Sequence, residues 1–442
     1  MCYREIVRKH LSVLIYKAKL VLGEGAVVPM VKQQRFCTLV PAAGRRASPH
    51  PATAPCRFRL MVASARPRGQ TPTRACRTPP SRVYIIAWHL VSWRATPQQS
   101  PTAQFVDTLV QGAPAMASED SAAPVVVDEC RGVLFVYSDG SVVRRAGPGF
   151  ATPVRDDGTV EWKDAEFDAA HGLGLRLYRP RERKNQLLPV FFYYHGGGFC
   201  IGSRTWPNCQ NYCLRLAAEL GAVVVAPDYR LGPEHRLPAA IDDAATALLW
   251  LASQAVGGDP WLTEAADFTR VFVSGDSAGG TIVHHLSVRF GSAAGRAELG
   301  AASVKGYVQL MPFFGGTERT RSEAECPDDA FLNRPLNDRY WRLSLPLGAT
   351  VDHPVSNPFG PDSLALEAVE FAPTLVVVGG RDILHDRAVD YVARLSAMGK
   401  PVEVKDFEGQ QHGFFTIDPW SDASAVLMRA LKRFIDTDGR FD

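Results

Sequence analysis

No stretch of this 442-residue chain is apolar for long enough to cross a membrane as a helix. The run Val83–Trp93 is about half of the ~20 residues a span needs, and Lys17 and Lys19 break up an earlier one. A clean signal peptide is also lacking, because basic and apolar residues are interleaved after Met1. Cysteine is sparse: nine residues without regular spacing, four in the first 115 positions and five beyond them. An odd, irregular set of that kind speaks against a secreted disulfide framework. Cys209 and Cys213 are four apart on an expected helix, yet no Cys/His pair follows at zinc spacing, so packing is their expected role. Reduced thiols point to an intracellular, cytoplasmic protein. Internal repeats are absent. Acids are missing in one region only: residues 1–115 hold three (Glu5, Glu24, Asp107) against 17 Lys and Arg. The rest holds 43 acids against 32 bases, so a net charge of +3 hides two compositions.

Residues 1–115 are therefore expected to form a disordered or non-native basic leader, with Pro, Arg, Ala, Ser and Thr dominating Pro41–Arg82. An organelle transit peptide and a nucleic-acid-binding tail are the alternatives, nucleic acid being the less expected. Composition changes at Met116, and residues 116–442 are expected to be one folded domain. Val133–Tyr137 and Ser141–Arg144 alternate across Ser138-Asp139-Gly140, which predicts a hairpin. Val160–Phe167 and Leu173–Tyr178 are two further expected strands. Short β-branched runs then alternate with helical patterns. The strands are Leu188–Tyr194, Ala222–Pro227, Arg270–Ser274, Gly306–Leu310 and Thr374–Val378, and the helices Pro207–Leu220, Pro238–Gln254, Ala278–Phe290 and His385–Met398. Ser421–Ile435 reads as a last helix. This order predicts an α/β fold whose mostly parallel sheet is flanked by helices.

The chemistry is carried by three separated segments. Gly275-Asp276-Ser277-Ala278-Gly279 fits G-x-S-x-G, follows a strand and opens a helix, the setting of a nucleophile elbow. His195-Gly196-Gly197-Gly198-Phe199 follows another strand, 79 residues upstream counting from Gly198 to Ser277. Glycines leave backbone N–H groups uncovered, so Gly197, Gly198 and Ala278 are the expected oxyanion donors. A serine needs a base within reach, and in this fold the order is serine, acid, histidine. Asp382 ends the run after Thr374–Val378, and His412 follows the expected strand Val402–Lys405. Their rivals are weaker: His385 and Asp386 begin a helix, His284 and His285 lie on the helix after Ser277, and His235 is expected to be a structural hydrogen-bonding residue. His195 is expected to stabilise its loop. The pocket is expected to be apolar, with Phe199, Trp206, Phe313, Phe314, Leu384 and Phe414 as candidate lining.

Together these segments resemble the plant carboxylesterase family, in the hormone-sensitive-lipase-like branch of α/β-hydrolases. The resemblance runs from about Ala123 to the C-terminus. It rests on His195–Phe199, Asp228-Tyr229-Arg230-Leu231-Gly232-Pro233-Glu234-His235, Gly275–Gly280, Asp382 and His412-Gly413-Phe414. It departs from the family at Gly232, where Ala is usual. It implies a serine esterase that takes small apolar esters, needs neither metal nor cofactor, and carries a small N-terminal lid over about Cys130–Gly149. Gibberellin receptors are similar but have lost the histidine, and hydroxyisoflavanone dehydratases carry Thr for the nucleophile. Ser277 and His412 favour ester hydrolysis over either. Cys200–Asn208 resembles a subgroup that includes strigolactone-cleaving enzymes.

Overall fold

The computed structural model describes residues 123–147, 153–182 and 186–441. The leader expected over 1–115, Met116 itself, and residues 148 and 149 of the expected lid lie outside the described residues. Three short strands come first: β1 (Val126–Cys130), β2 (Leu134–Tyr137) and β3 (Val142–Arg144). The predicted hairpin is β2–β3, and β1, which had no sequence signal, pairs antiparallel to β2.

Eight strands make the main sheet: β4 (Val160–Asp168), β5 (Leu173–Pro180), β6 (Leu188–Tyr194), β7 (Val223–Pro227), β8 (Ala266–Asp276), β9 (Val304–Leu310), β10 (Thr374–Gly379) and β11 (Val402–Phe407). Their order is β11-β10-β9-β8-β6-β7-β5-β4. Pairing is parallel from β11 to β7 and antiparallel where β5 and β4 complete the edge. The helices are α1 (Pro207–Leu220), α2 (Ala239–Gln254), α3 (Pro260–Thr263), α4 (Ala278–Gly291), α5 (Ala293–Glu298), α6 (Arg321–Ala324), α7 (Arg334–Ser344), α8 (His385–Ala397), α9 (Phe414–Ile417) and α10 (Asp422–Asp436).

Strand β6 explains the layering. Side chains alternate across a strand, and every residue of Leu188–Tyr194 is apolar or aromatic, so both faces must be covered. Val190, Phe192 and Tyr194 join one apolar cluster with Leu248 of α2 and Ile282 of α4. Phe191 and Tyr193 join the other, with Tyr212 of α1 and Leu431 of α10. Helix α7 went unforeseen. Asn333 caps it by accepting from the Leu336 N–H at 3.1 Å, and Pro335 fits its first turn, where no N–H is needed. No helix among the described residues is long and apolar enough to cross a membrane.

Candidate active site

The carboxyl ends of parallel strands collect loops at one edge of the sheet, the usual place for a site in such folds. Here β6 leads into His195–Phe199, β8 into Ser277, β10 into the loop with Asp382, and β11 into the loop with His412. Ser277 sits between β8 and α4 with φ 52° and ψ −116°, a region non-glycine residues rarely occupy. Packing holds it there. Its N–H donates to the Leu310 carbonyl at 2.9 Å, and its own carbonyl accepts from the Phe313 N–H at 3.0 Å. The turn can close this tightly because Gly279 lies against the Tyr194 backbone, where a Cβ would collide with the carbonyl.

His412 Nε2 lies 3.0 Å from Ser277 Oγ, and His412 Nδ1 lies 2.7 Å from Asp382 Oδ2. The other Asp382 oxygen accepts from the Leu384 N–H at 3.0 Å, so both carboxylate oxygens are engaged. All three side chains are buried. A carboxylate on Nδ1 fixes that nitrogen as the N–H donor and leaves Nε2 free to accept from the serine hydroxyl. The structure thus brings together Ser277, Asp382 and His412 as one hydrogen-bonded relay.

The glycine loop lies beside that relay. Gly198 has φ 58°, and a Cβ there would strike the ring of Tyr340. Neither Gly197 nor Gly198 gives its N–H to an acceptor among the described residues. Ala278 opens α4, where first-turn N–H groups have no partner in the helix. The motif at 228–235 braces the loop from behind. Tyr229 Oη donates to the His195 carbonyl at 2.6 Å and its ring stacks on the imidazole at 4.4 Å. The Gly232 N–H reaches the Phe199 carbonyl at 2.8 Å, and Arg230 grips Asp243. His195 Nδ1 lies 2.8 Å from the Gly196 carbonyl, a loop contact. His235 is exposed, and its N–H donates to the Leu231 carbonyl at 2.9 Å within the same loop.

A cleft opens onto Ser277, His412 and Gly196–Gly198. Of the aromatic and aliphatic side chains expected to line it, only Trp206 does. Phe199 and Phe313 pack with Trp341 in the core, Phe313 stacked on it at 4.2 Å. Phe314 packs on Tyr391 of α8, and Phe414 sits between Phe407 and Phe415. Leu384 is fully buried in the core. Next to a sharp turn, adjacent residues face opposite ways, so closeness in sequence to Ser277 or His412 does not place a side chain in the cleft. Its apolar wall comes from Phe331, Leu332, Tyr340 and Ile417 instead.

Arg131, between β1 and β2, also lines the cleft and lies over the Phe331 ring at 3.9 Å, so the amino-terminal sheet does reach the site. Asp276, inside the nucleophile-elbow motif, has a place in the cleft that the motif alone does not signal. Asp276 lines the cleft, largely buried, and accepts from Tyr193 Oη at 2.6 Å. Burial pushes its carboxyl up, against the pull of that hydrogen bond and of His195 and His412.

His284 and His285 lie outside the cleft. Burial lowers both, His285 to about 4, and they bond to Tyr391 Oη at 3.0 Å and the Val355 carbonyl at 3.2 Å. His385 and Asp386 start α8 as expected. Cys209 and Cys213 are buried free thiols on α1.

Comparison with known proteins agrees with this architecture. A family profile described as the alpha/beta hydrolase fold matches residues 191–416. Tuliposide A-converting enzyme 2, chloroplastic, of Tulipa gesneriana is 32% identical over 82% of this chain and 89% of its own length. A 3-O-acetylpapaveroxine carboxylesterase of Papaver somniferum is 36% identical over 65% of this chain and 91% of its own. A gibberellin receptor of Arabidopsis thaliana is 37% identical over 60% and 70%. Among solved structures, the Pyrobaculum calidifontis esterase superposes with a TM-score of 0.53 at 28% identity, covering 64% of this chain and 86% of that one. The chain belongs to the α/β-hydrolase fold family, as a carboxylesterase-like hydrolase related to plant ester-hydrolysing enzymes.

Proposed function

We propose that the protein is a serine carboxylesterase that cleaves small carboxylic esters through an acyl-enzyme, with Ser277 as nucleophile, His412 as general base and Asp382 as its orienting acid. The observation that carries this reading is the position of His412 between the Ser277 hydroxyl and the Asp382 carboxylate, at 3.0 and 2.7 Å. His412 Nε2 takes the hydroxyl proton as Oγ attacks the ester carbonyl. The N–H groups of Gly197, Gly198 and Ala278 stabilise the oxyanion, which forms only as the carbonyl becomes tetrahedral. The imidazolium then protonates the leaving alcohol, Asp382 stabilising its charge. Water repeats the cycle and frees the acid.

For the natural ester, a plant hormone or specialised metabolite such as a strigolactone is the finer reading. It leans on Cys200–Asn208, of which Ile201, Trp206 and Asn208 line the cleft. For the leader we favour the transit-peptide reading. The match to the chloroplastic tulip relative takes in 82% of the chain, more than residues 116–442 can supply. Mass spectrometry of the mature N-terminus from plastids tests it, and an intact Met1 there would reject it.

The enzymatic reading is tested with p-nitrophenyl acetate and butyrate on the full chain. Wild type should release p-nitrophenol, and Ser277→Ala, with an unchanged melting temperature, should release it no faster than buffer. Equal rates for the two proteins would reject the mechanism.

A further inference from the structure

The cleft has an apolar wall and carries a fixed cation beside it. Phe331, Leu332, Tyr340 and Ile417 form the wall. Among the described residues that line the cleft, Arg131 is the one lysine or arginine and Asp276 the one acid. Asp276 accepts from Tyr193 Oη, and burial pushes its carboxyl up, towards the neutral form. A guanidinium, by contrast, keeps its charge throughout the working pH range. The charge of the cleft therefore leans positive.

Arg131 brings its charged end to this space, and not its stem alone. It is half-buried, and its Cζ lies 3.9 Å from the ring centroid of Phe331, which is itself half-buried and lines the cleft. That ring reaches the loop of the relay, since a Cβ on Gly413 would meet Phe331 Cε1 at 3.9 Å. Burial pushes the Tyr340 hydroxyl up and Arg131 draws it down, so the guanidinium also stands by that phenol. The Tyr340 ring in turn fills the space left by the missing Cβ of Gly198. Arg131 is thus set between the aromatic ring against the His412 loop and the one against the glycine loop. The turn that holds it there is costly, because φ at Arg131 is 56°, a left-handed conformation disfavoured for a residue with a Cβ.

We propose that Arg131 is a specificity-determining residue of this site, and that the preferred substrate is an ester bearing a free carboxylate, which meets the Arg131 guanidinium while the apolar part lies against Phe331 and Ile417. The inference rests on the esterase reading and sharpens it. It gives the expected apolar pocket a cationic end, selecting a half-ester of a dicarboxylic acid or an acylated hydroxy acid. The planar fork of a guanidinium matches a carboxylate, and its five N–H groups let contacts to protein and substrate coexist. A charge in a partly enclosed cleft is screened less than one on an open surface, so it can tell an acid from its neutral ester.

The test compares kcat/KM for phenol release on two matched pairs, with the full chain, each value divided by that ester's rate with hydroxide. On the acyl side mono-p-nitrophenyl adipate is set against p-nitrophenyl methyl adipate. On the alcohol side 4-butyryloxybenzoate is set against its methyl ester. Wild type should prefer the acid in at least one pair by about tenfold to a hundredfold, the scale of a hydrogen bond to a charged group. That preference should shrink as salt rises, a readout that needs no variant. Arg131→Gln should lose it chiefly through KM, at an unchanged melting temperature. Arg131→Lys, which keeps the charge without the fork, should retain part of it. A wild type that cleaves acids and neutral esters alike, or a preference that survives Arg131→Gln, would overturn this inference and leave the esterase reading standing. A wild type inert toward all four would overturn both.

Discussion

Arg144 on β3 donates to the Cys200 carbonyl at 2.6 Å, fastening the amino-terminal sheet to the segment that follows the glycine loop. The same guanidinium reaches the Gly232 carbonyl at 2.7 Å and pairs with Glu234. The Glu234 pair is about a third exposed on each side and is largely screened by solvent, so the two carbonyl bonds matter more. Arg144→Ala is expected to cost about 2 kcal/mol of stability and to lower kcat several-fold by loosening the glycine loop. Thermal melts and ester kinetics check this. Unchanged kcat would mean that the sheet does not support the loop.

Gly198 is expected to tolerate no side chain. Its φ of 58° disfavours any Cβ, and that Cβ would run into Tyr340. Gly198→Ala should displace the loop and cost at least about a hundredfold in kcat, the scale of one lost oxyanion donor. Wild-type turnover in this variant would remove the loop from the proposed mechanism.

Asp382→Asn keeps the shape of the side chain but removes the charge that fixes the imidazole tautomer. By analogy with other triads, kcat should fall by about ten-thousandfold while the protein melts normally. A loss below tenfold would contradict the role proposed for Asp382.

Acid should destabilise the fold through His285, whose imidazole is held down to about 4 from an ordinary 6.5 by burial. As pH falls below 6.5 the unfolded chain takes up this proton and the folded chain does not. Stability from this group is therefore complete above 6.5, declines on acidification, and levels off near 4, an effect on the order of 3 kcal/mol. Urea melts of wild type and His285→Gln across that range provide the check. The variant should show a shallower pH slope, and identical slopes would contradict the assignment.

The strands of the parallel sheet and the relay could be read in advance because their signals are local. A buried strand such as β6 is apolar at every position, and Ser277, Asp382 and His412 each follow a strand that is visible as a short β-branched run. The cleft wall could not be read the same way. Tyr340 and Phe331 come from a segment without a motif, and Arg131 from a strand connection 146 residues before Ser277. The helix that carries Tyr340 does have a local signal. Asn333 followed by Pro335, with Asn337, Tyr340, Trp341 and Ser344 buried at helical spacing, marks a capped amphipathic helix against the core. Which side of that helix meets the cleft is set by Gly198, whose missing Cβ leaves room for the Tyr340 ring, and that is a tertiary fact.

The central claim is that an acyl group is carried by Ser277. Full-length protein quenched in acid during turnover of p-nitrophenyl acetate, digested and mapped by mass spectrometry, tests it directly. One acetyl group is expected on the peptide containing Ser277 in wild type, and none on that peptide in Ser277→Ala. Rapid hydrolysis with no adduct on that peptide, or an adduct that persists in Ser277→Ala, would contradict it.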